Sequence, residues 1–121
     1  MKYLCFIRHA ESHREAGPPA ALMQAMGEFV QRSLKNGSLV QTGGLASGKS
    51  AVRIRQSGGR LSVIDGPFVE TKELVGGYAI LEAPSREAAV EIMRQFMHMH
   101  EQHWPGWRGE CELREMVFVT P

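Results

Sequence analysis

The sequence predicts an α+β fold with two helices packed on one face of a sheet, and three observations carry that prediction. Residues 18–36 and the segment opened by Pro84-Ser85 place apolar side chains at helical spacing. Around them lie short runs of strand composition, two of which flank Ser57-Gly58-Gly59, a hairpin turn signal. The first run, Tyr3-Leu4-Cys5-Phe6-Ile7, is apolar without alternation, as befits a strand buried on both faces. The resulting order is strand, helix, strand, hairpin, strand, helix, strand. Two helices cover only one face of such a sheet. The other face then needs a partner, and a second copy of the chain is the simplest one. The expected assembly is a homodimer with its two sheets face to face.

Each element has a local reason. In the helix over 18–36, Pro18 and Pro19 suit the first turn, and Leu22, Met26, Phe29, Val30 and Leu34 share a face. Asn36-Gly37 is its C-terminal stop. Ser38–Thr42 reads as a short strand, and Gly43-Gly44 through Gly48 as a loop. In the hairpin, Val52 and Ile54 alternate with Arg53 and Arg55, and Leu61 and Val63 with Ser62 and Ile64. The two-residue period puts Asp65 on the Leu61/Val63 face; if that face looks inward, the carboxylate ends its strand in the interior or a cleft. Tyr78–Ala83 is the next strand. Ser85 caps the second helix, with Glu87 in its first turn and Ala89, Ile92, Met93 and Phe96 as its apolar stripe. Trp104-Pro105-Gly106-Trp107 breaks that helix, and Leu113–Val119 is the last strand.

Composition narrows the function classes. A chain of 121 residues is read as one domain, 1–121, large enough to bury a core. The net charge of +1 supplies no bulk attraction to nucleic acid or to an anionic membrane, and neither is expected as a partner. Cys5 and Cys111 are too few for a disulfide framework and are expected as free thiols. The Tyr3–Ile7 run is too short for a signal peptide or a membrane span, so the expected location is cytoplasmic. No phosphate loop, metal-ligand set or nucleotide fingerprint is present, and no cofactor is expected.

The stretch from Asp65 to Tyr78 packs three glycines, a proline and four ionisable groups into one connection. Gly66 and Pro67 set an unusual backbone path, and Gly76-Gly77 removes side chains where a strand begins. The Asp65-Gly66-Pro67-Phe68 tetrapeptide and the run Glu70, Thr71, Lys72, Glu73, Gly76, Gly77 and Tyr78 resemble the DGPF branch of the YCII-related family, and the resemblance extends along nearly the whole chain. It implies a ferredoxin-like βαββαβ subunit with an inserted β-hairpin, pairing into a dimeric α/β barrel. It also implies a cleft with the tetrapeptide at its mouth. There Asp65 would be the acid–base group, Lys72 would polarise an oxygen, and Gly66, Pro67, Phe68, Glu70, Thr71, Glu73, Gly76, Gly77 and Tyr78 would contact a small organic ligand. A turn that merely uses Asp65 to accept backbone hydrogen bonds, with Phe68 plugging the core, is the competing reading. Other branches of the family pair a first-helix histidine with an aspartate, yet the helix over 18–36 has no histidine. A histidine partner would have to be His9, His13 or one from the second helix.

The function implied is small-molecule binding, or cofactor-independent lyase or isomerase chemistry, at Asp65. The alternative is a non-catalytic regulatory or interaction protein associated with transcription control. A cleft that is open and polar favours the first; one plugged by Phe68 and tryptophan favours the second. Arg8-His9-Ala10-Glu11-Ser12 looks like the start of a histidine phosphatase, but the element order is wrong, and a polar strand end explains it more simply. His100 and His103 share a helix face with the apolar stripe, so half-buried helix-end histidines explain them better than a metal. Trp104 and Trp107 read as core or dimer packing, or as lining of a ligand pocket. Arg53 and Arg55 form a solvated or subunit-bridging face, or an anion contact.

Overall fold

The computed structural model of the chain describes residues 1–9, 11–46, 48–68 and 74–117. Strand β1 (Lys2–His9) leads through a short helix α1 (Glu11–Ala16) into helix α2 (Ala20–Asn36) and strand β2 (Leu39–Gly44). A 3-10 turn (Gly48–Ser50) precedes the hairpin β3 (Val52–Ser57) and β4 (Arg60–Asp65). Strand β5 (Leu74–Glu82), helix α3 (Arg86–His103) and strand β6 (Gly109–Glu115) complete the order. Four strands form one antiparallel sheet, β2-β5-β1-β6, and the hairpin is a separate two-stranded sheet. This mixed α+β arrangement is consistent with a ferredoxin-like fold.

The non-alternating first strand sits at the centre of the sheet, where both neighbours satisfy its backbone. Tyr3 and Cys5 turn toward the helices and are buried with Leu39, Leu81, Ala89 and Met93. Leu4 and Phe6, on the other face, are only half-buried in the single chain. Cys5 and Cys111 are both free thiols.

Several boundaries differ from the sequence reading. Helix α1 replaces an expected connection and ends at Gly17, whose φ of 74° allows its N–H to bond the His13 carbonyl at 3.0 Å. Helix α2 starts two residues after Pro18, with Pro19 at its cap position. It stops at Gly37 in the left-handed conformation, as predicted. Its buried line runs through Leu22, Phe29 and Ser33, while Leu34 is exposed; a spacing of four from Phe29 points back to the sheet better than five does. Helix α3 has the expected cap, Ser85 Oγ accepting from Ala88 N–H at 3.1 Å. Strand β2 runs on through Gly43 and Gly44. Strands β5 and β6 each begin four residues earlier than expected, because backbone pairing to β1 continues through Gly76-Gly77 and through Gly109. Of the expected last strand, residues 118 and 119 lie outside the described residues.

The hairpin pairs as the alternation requires, with Ile54 opposite Val63 and Val52 opposite Asp65, across a turn in which Gly58 and Gly59 both have positive φ. Its apolar face nevertheless looks out to solvent: Ile54 is 72% and Leu61 75% exposed. The condition that would aim Asp65 into the interior of its own chain is therefore not met. Among the described residues no helix is long and apolar enough to cross a membrane.

Candidate functional site

A cavity of about 560 Å³ lies between the four-stranded sheet and helices α2 and α3. That volume falls within the range of small-molecule sites. One wall is apolar, built by Met26, Phe29 and Val30 of α2, Met93 and Phe96 of α3, and Ile7 of β1. The other end is a cluster of three imidazoles and two indoles: His9, His13, His100, Trp104 and Trp107. They come from four separate parts of the chain. β1 ends at His9, α1 brings His13, the last turn of α3 brings His100, and the turn after it brings Trp104 and Trp107.

Glycines make room for these rings. The β1/β5 register shifts between Ile7 and Arg8, leaving Gly76 as the extra residue of a bulge, and the His9 ring lies over it. A Cβ on Gly76 would stand 2.5 Å from His9 Nε2. A Cβ on Gly109 would collide with the Trp107 indole. Gly76 and the glycine opening β6 are thus explained by aromatic rings packed directly on strand backbone, whereas a Cβ on Gly77 would meet the Gly43 carbonyl oxygen of the neighbouring strand at 3.0 Å.

Hydrogen bonds orient the imidazoles. Trp107 Nε1–H can only donate, so His9 Nδ1 is the acceptor of that 3.4 Å contact. His13 Nε2 accepts from the Arg108 backbone N–H at 3.1 Å. His100 Nδ1 lies 3.0 Å from the Phe96 carbonyl, which can only accept, so Nδ1 carries the proton and Nε2 the lone pair. The His100 ring packs between Phe96 at 4.9 Å and Trp107 at 4.5 Å and is 6% exposed. Burial pushes its pKa below the ordinary 6.5, and the bond to the Phe96 carbonyl opposes this only partly. It is a neutral imidazole at pH 7.

No Asp, Glu, Lys or Arg is among the described residues lining the cavity. Arg8, next to His9 in sequence, points through the opposite face of the sheet, where Nη1 bonds Glu112 Oε1 at 2.9 Å and lies 3.8 Å from Glu110. The Arg8-His9 pair therefore does not converge as a phosphoryl site would require. Among the described residues no group of three or more His, Cys, Asp or Glu is placed to hold a metal.

The residues singled out by the sequence divide between two places. Gly76, Gly77 and Tyr78 line the cavity. Tyr78 accepts from Gln41 Nε2 at its hydroxyl and from Thr42 Oγ1 at its carbonyl, both at 2.8 Å. Asp65, Gly66, Pro67 and Phe68 lie at the base of the hairpin and are not part of the cavity lining. There Gly66 N–H bonds Ala51 O at 2.8 Å and Phe68 N–H bonds Gly48 O at 3.2 Å, fastening the end of β4 to the start of β3. A Cβ on Gly66 would meet the carbonyl oxygens of Ala51 and Gly48 at 2.9 and 3.0 Å. Phe68 does not plug the cavity; the Arg53 guanidinium lies over its ring at 3.7 Å. Asp65 is exposed. Glu70, Thr71, Lys72 and Glu73 lie outside the described residues. The three histidines, which the sequence offered only as candidate partners of Asp65, carried one further legible signal: His100 continues the Ala89, Met93, Phe96 stripe, so its ring had to face the sheet.

The YCII-related domain family matches residues 1–100, and the chain belongs to that family, whose function is uncharacterised. A curated relative, "Uncharacterized protein R00369" from Rhizobium meliloti (strain 1021), is 25% identical over 100 residues, covering 83% of this chain and 77% of that protein.

Proposed function

We propose that the protein binds a small, largely apolar organic molecule in the cavity between sheet and helices, with the His9, His13 and His100 imidazoles at its polar end. The observation that supports this best is the combination of apolar walls with convergent, oriented imidazoles in a space of about 560 Å³. Trp104 and Trp107 line that space and do not fill it. A neutral imidazole is also a competent general base, so lyase or isomerase chemistry without a cofactor belongs to the same site. The Asp-Gly-Pro-Phe tetrapeptide supports placing the chain in the DGPF branch. The two tryptophans are the only ones in the chain and both face the cavity, so their fluorescence reports occupancy. Titration with apolar aromatic compounds should change it saturably in the parent protein. It should not do so after the double change Val30→Phe and Met26→Phe, which fills much of the space and adds no indole. No saturable response to any compound would remove the reading.

The protein also pairs with itself in this proposal. The half-buried Leu4 and Phe6 face and the exposed hairpin face of Ile54, Leu61 and Val63 support a second copy as the covering layer, in a dimeric α/β barrel. Light scattering on a gel-filtered sample tests this, and a monomer mass at micromolar concentration would end it.

A further inference from the structure

The polar groups at the end of the cavity are committed in a way that selects a ligand. Trp107 gives its indole N–H to His9, and His13 Nε2 is occupied by the Arg108 backbone N–H. His100 uses Nδ1–H on the carbonyl of its own helix, one turn back at Phe96. That bond ties the Nδ1 edge of the ring to α3 and leaves the Nε2 lone pair on the opposite edge of a ring that lines the cavity. Phe96 and Trp107 hold the ring from its sides, so its orientation is fixed before anything binds. The described lining has no cation to offset a carboxylate or phosphate, and stripping such a group of water without a counter-charge costs several kcal/mol. It has no carboxylate to receive an ammonium group either.

From this geometry, and resting on the small-molecule reading above, we infer that the ligand is an uncharged, mainly apolar molecule bearing a hydroxyl or equivalent donor, and that His100 Nε2 accepts its proton in a hydrogen bond. A phenolic or enolic hydroxyl on a ring or short apolar body meets that description. A hydroxyl can at the same time accept from neighbouring N–H groups, which an imidazole and indole cluster supplies. His100 is then the specificity-determining residue of the cavity: the apolar wall sets how much binds, and the lone pair sets which head group is accepted.

A matched series tests the inference by tryptophan fluorescence at neutral pH: propylbenzene, para-propylphenol, para-propylanisole and para-propylbenzoate. The phenol is expected to bind about three- to tenfold tighter than propylbenzene, the net worth of one hydrogen bond. The anisole, which keeps the oxygen and loses the donor, should match propylbenzene, and the benzoate should bind worst. His100→Phe should retain propylbenzene binding and abolish the preference for the phenol. His100→Gln, whose amide oxygen can accept, should retain part of it. If His100→Phe does not fold, the phenol-to-anisole ratio in the parent protein decides the matter by itself. Equal binding of phenol and anisole, tightest binding by the benzoate, or a phenol preference that survives in His100→Phe would each overturn the assignment while leaving the cavity a binding site. Failure of all four compounds to bind saturably would overturn both.

Discussion

The four-stranded body and the β3–β4 hairpin both set apolar side chains on a shared strand face and use that face in opposite ways. In the body, the odd-numbered side chains of β1 lie under helices, and Cys5 and Leu81 are sealed from solvent. In the hairpin, Ile54, Leu61 and Val63 share a face just as regularly, yet no layer of the same chain covers them. Periodicity tells which residues share a face; it does not tell whether anything lies on that face. The functional signals divide the same way. The hairpin base holds the most conspicuous motif of the chain, Asp65 to Phe68, and uses its glycine to close backbone on backbone. The body holds the cavity, assembled from histidines scattered over nearly the whole chain.

The sharpest way to break this contrast is to truncate a leucine in each region. Leu81→Ala, at a fully buried site, is expected to cost about 2–5 kcal/mol. Leu61→Ala, on the exposed face, should change stability by no more than about 0.5 kcal/mol in a monomer. Urea unfolding of both variants gives the comparison directly. A large loss for Leu61→Ala that grows with protein concentration would mean that the hairpin face is covered in solution by a second copy.

Glycine substitutions sharpen the contrast at smaller scale. Gly66→Ala puts its methyl group against three backbone oxygens, of Ala51, Gly48 and Lys49, none of which can swing away. A loss of about 1–3 kcal/mol is expected, with the cavity's response to ligand unchanged. Gly76→Ala meets instead the His9 ring, which can rotate. Its stability loss should be the smaller of the two, while ligand affinity and tryptophan emission change, because His9 is bonded to Trp107. The reverse pattern would move the functional site to the hairpin.

A pH series separates the regions again. The pKa of His100 is lower in the folded protein than its ordinary 6.5, so the unfolded chain takes up the proton first. The contribution is fully present above about pH 6.5 and is lost as pH falls through the folded value. His9 from β1, His13 from α1 and Tyr78 from β5 also border the cavity, so the test is a difference. Thermal unfolding of the parent should fall off more between neutral and mildly acid pH than that of His100→Phe, and an identical fall-off would contradict the burial argument.

The fold was largely legible because its signals were local. Ser85 before an apolar stripe, Asn36-Gly37 after one, and Gly58-Gly59 between alternating runs each specify a boundary within a few residues. The cavity was legible only in fragments. His100 announces an inward ring through its spacing from Phe96, but nothing local to His9 or His13 says that β1 and α1 deliver both rings to the same space. Gly76 was readable as an absence of side chain and Gly109 was not singled out; the reason for each became visible only once His9 and Trp107 were found lying over them. The motif around Asp65 drew attention for the same local reason that made the hairpin predictable: glycine and proline specify backbone path, and a tight path is needed by structure as often as by chemistry.

Asp65 itself offers the smallest expected effect and decides the most. Its side chain is exposed on the hairpin face opposite Val52, so Asp65→Asn should leave stability within about 0.5 kcal/mol of the parent. A purely structural aspartate, holding backbone N–H groups through its charge, would instead cost about 1–3 kcal/mol. The informative measurement pairs thermal unfolding with the tryptophan titration. If neither changes, the tetrapeptide serves the hairpin through Gly66 and Phe68, and the carboxylate is incidental to it. If stability holds while ligand binding is lost, then a residue outside the cavity of its own chain acts at a site. A second copy carrying its hairpin to this cavity is the arrangement that allows it. That outcome predicts its own control: mixing Asp65→Asn with His100→Phe under subunit exchange should regenerate a fraction of intact sites, because each chain supplies what the other lacks. Recovery of phenol-selective binding in the mixture would join the two regions across a subunit boundary, and its absence would leave the body and the hairpin with separate tasks.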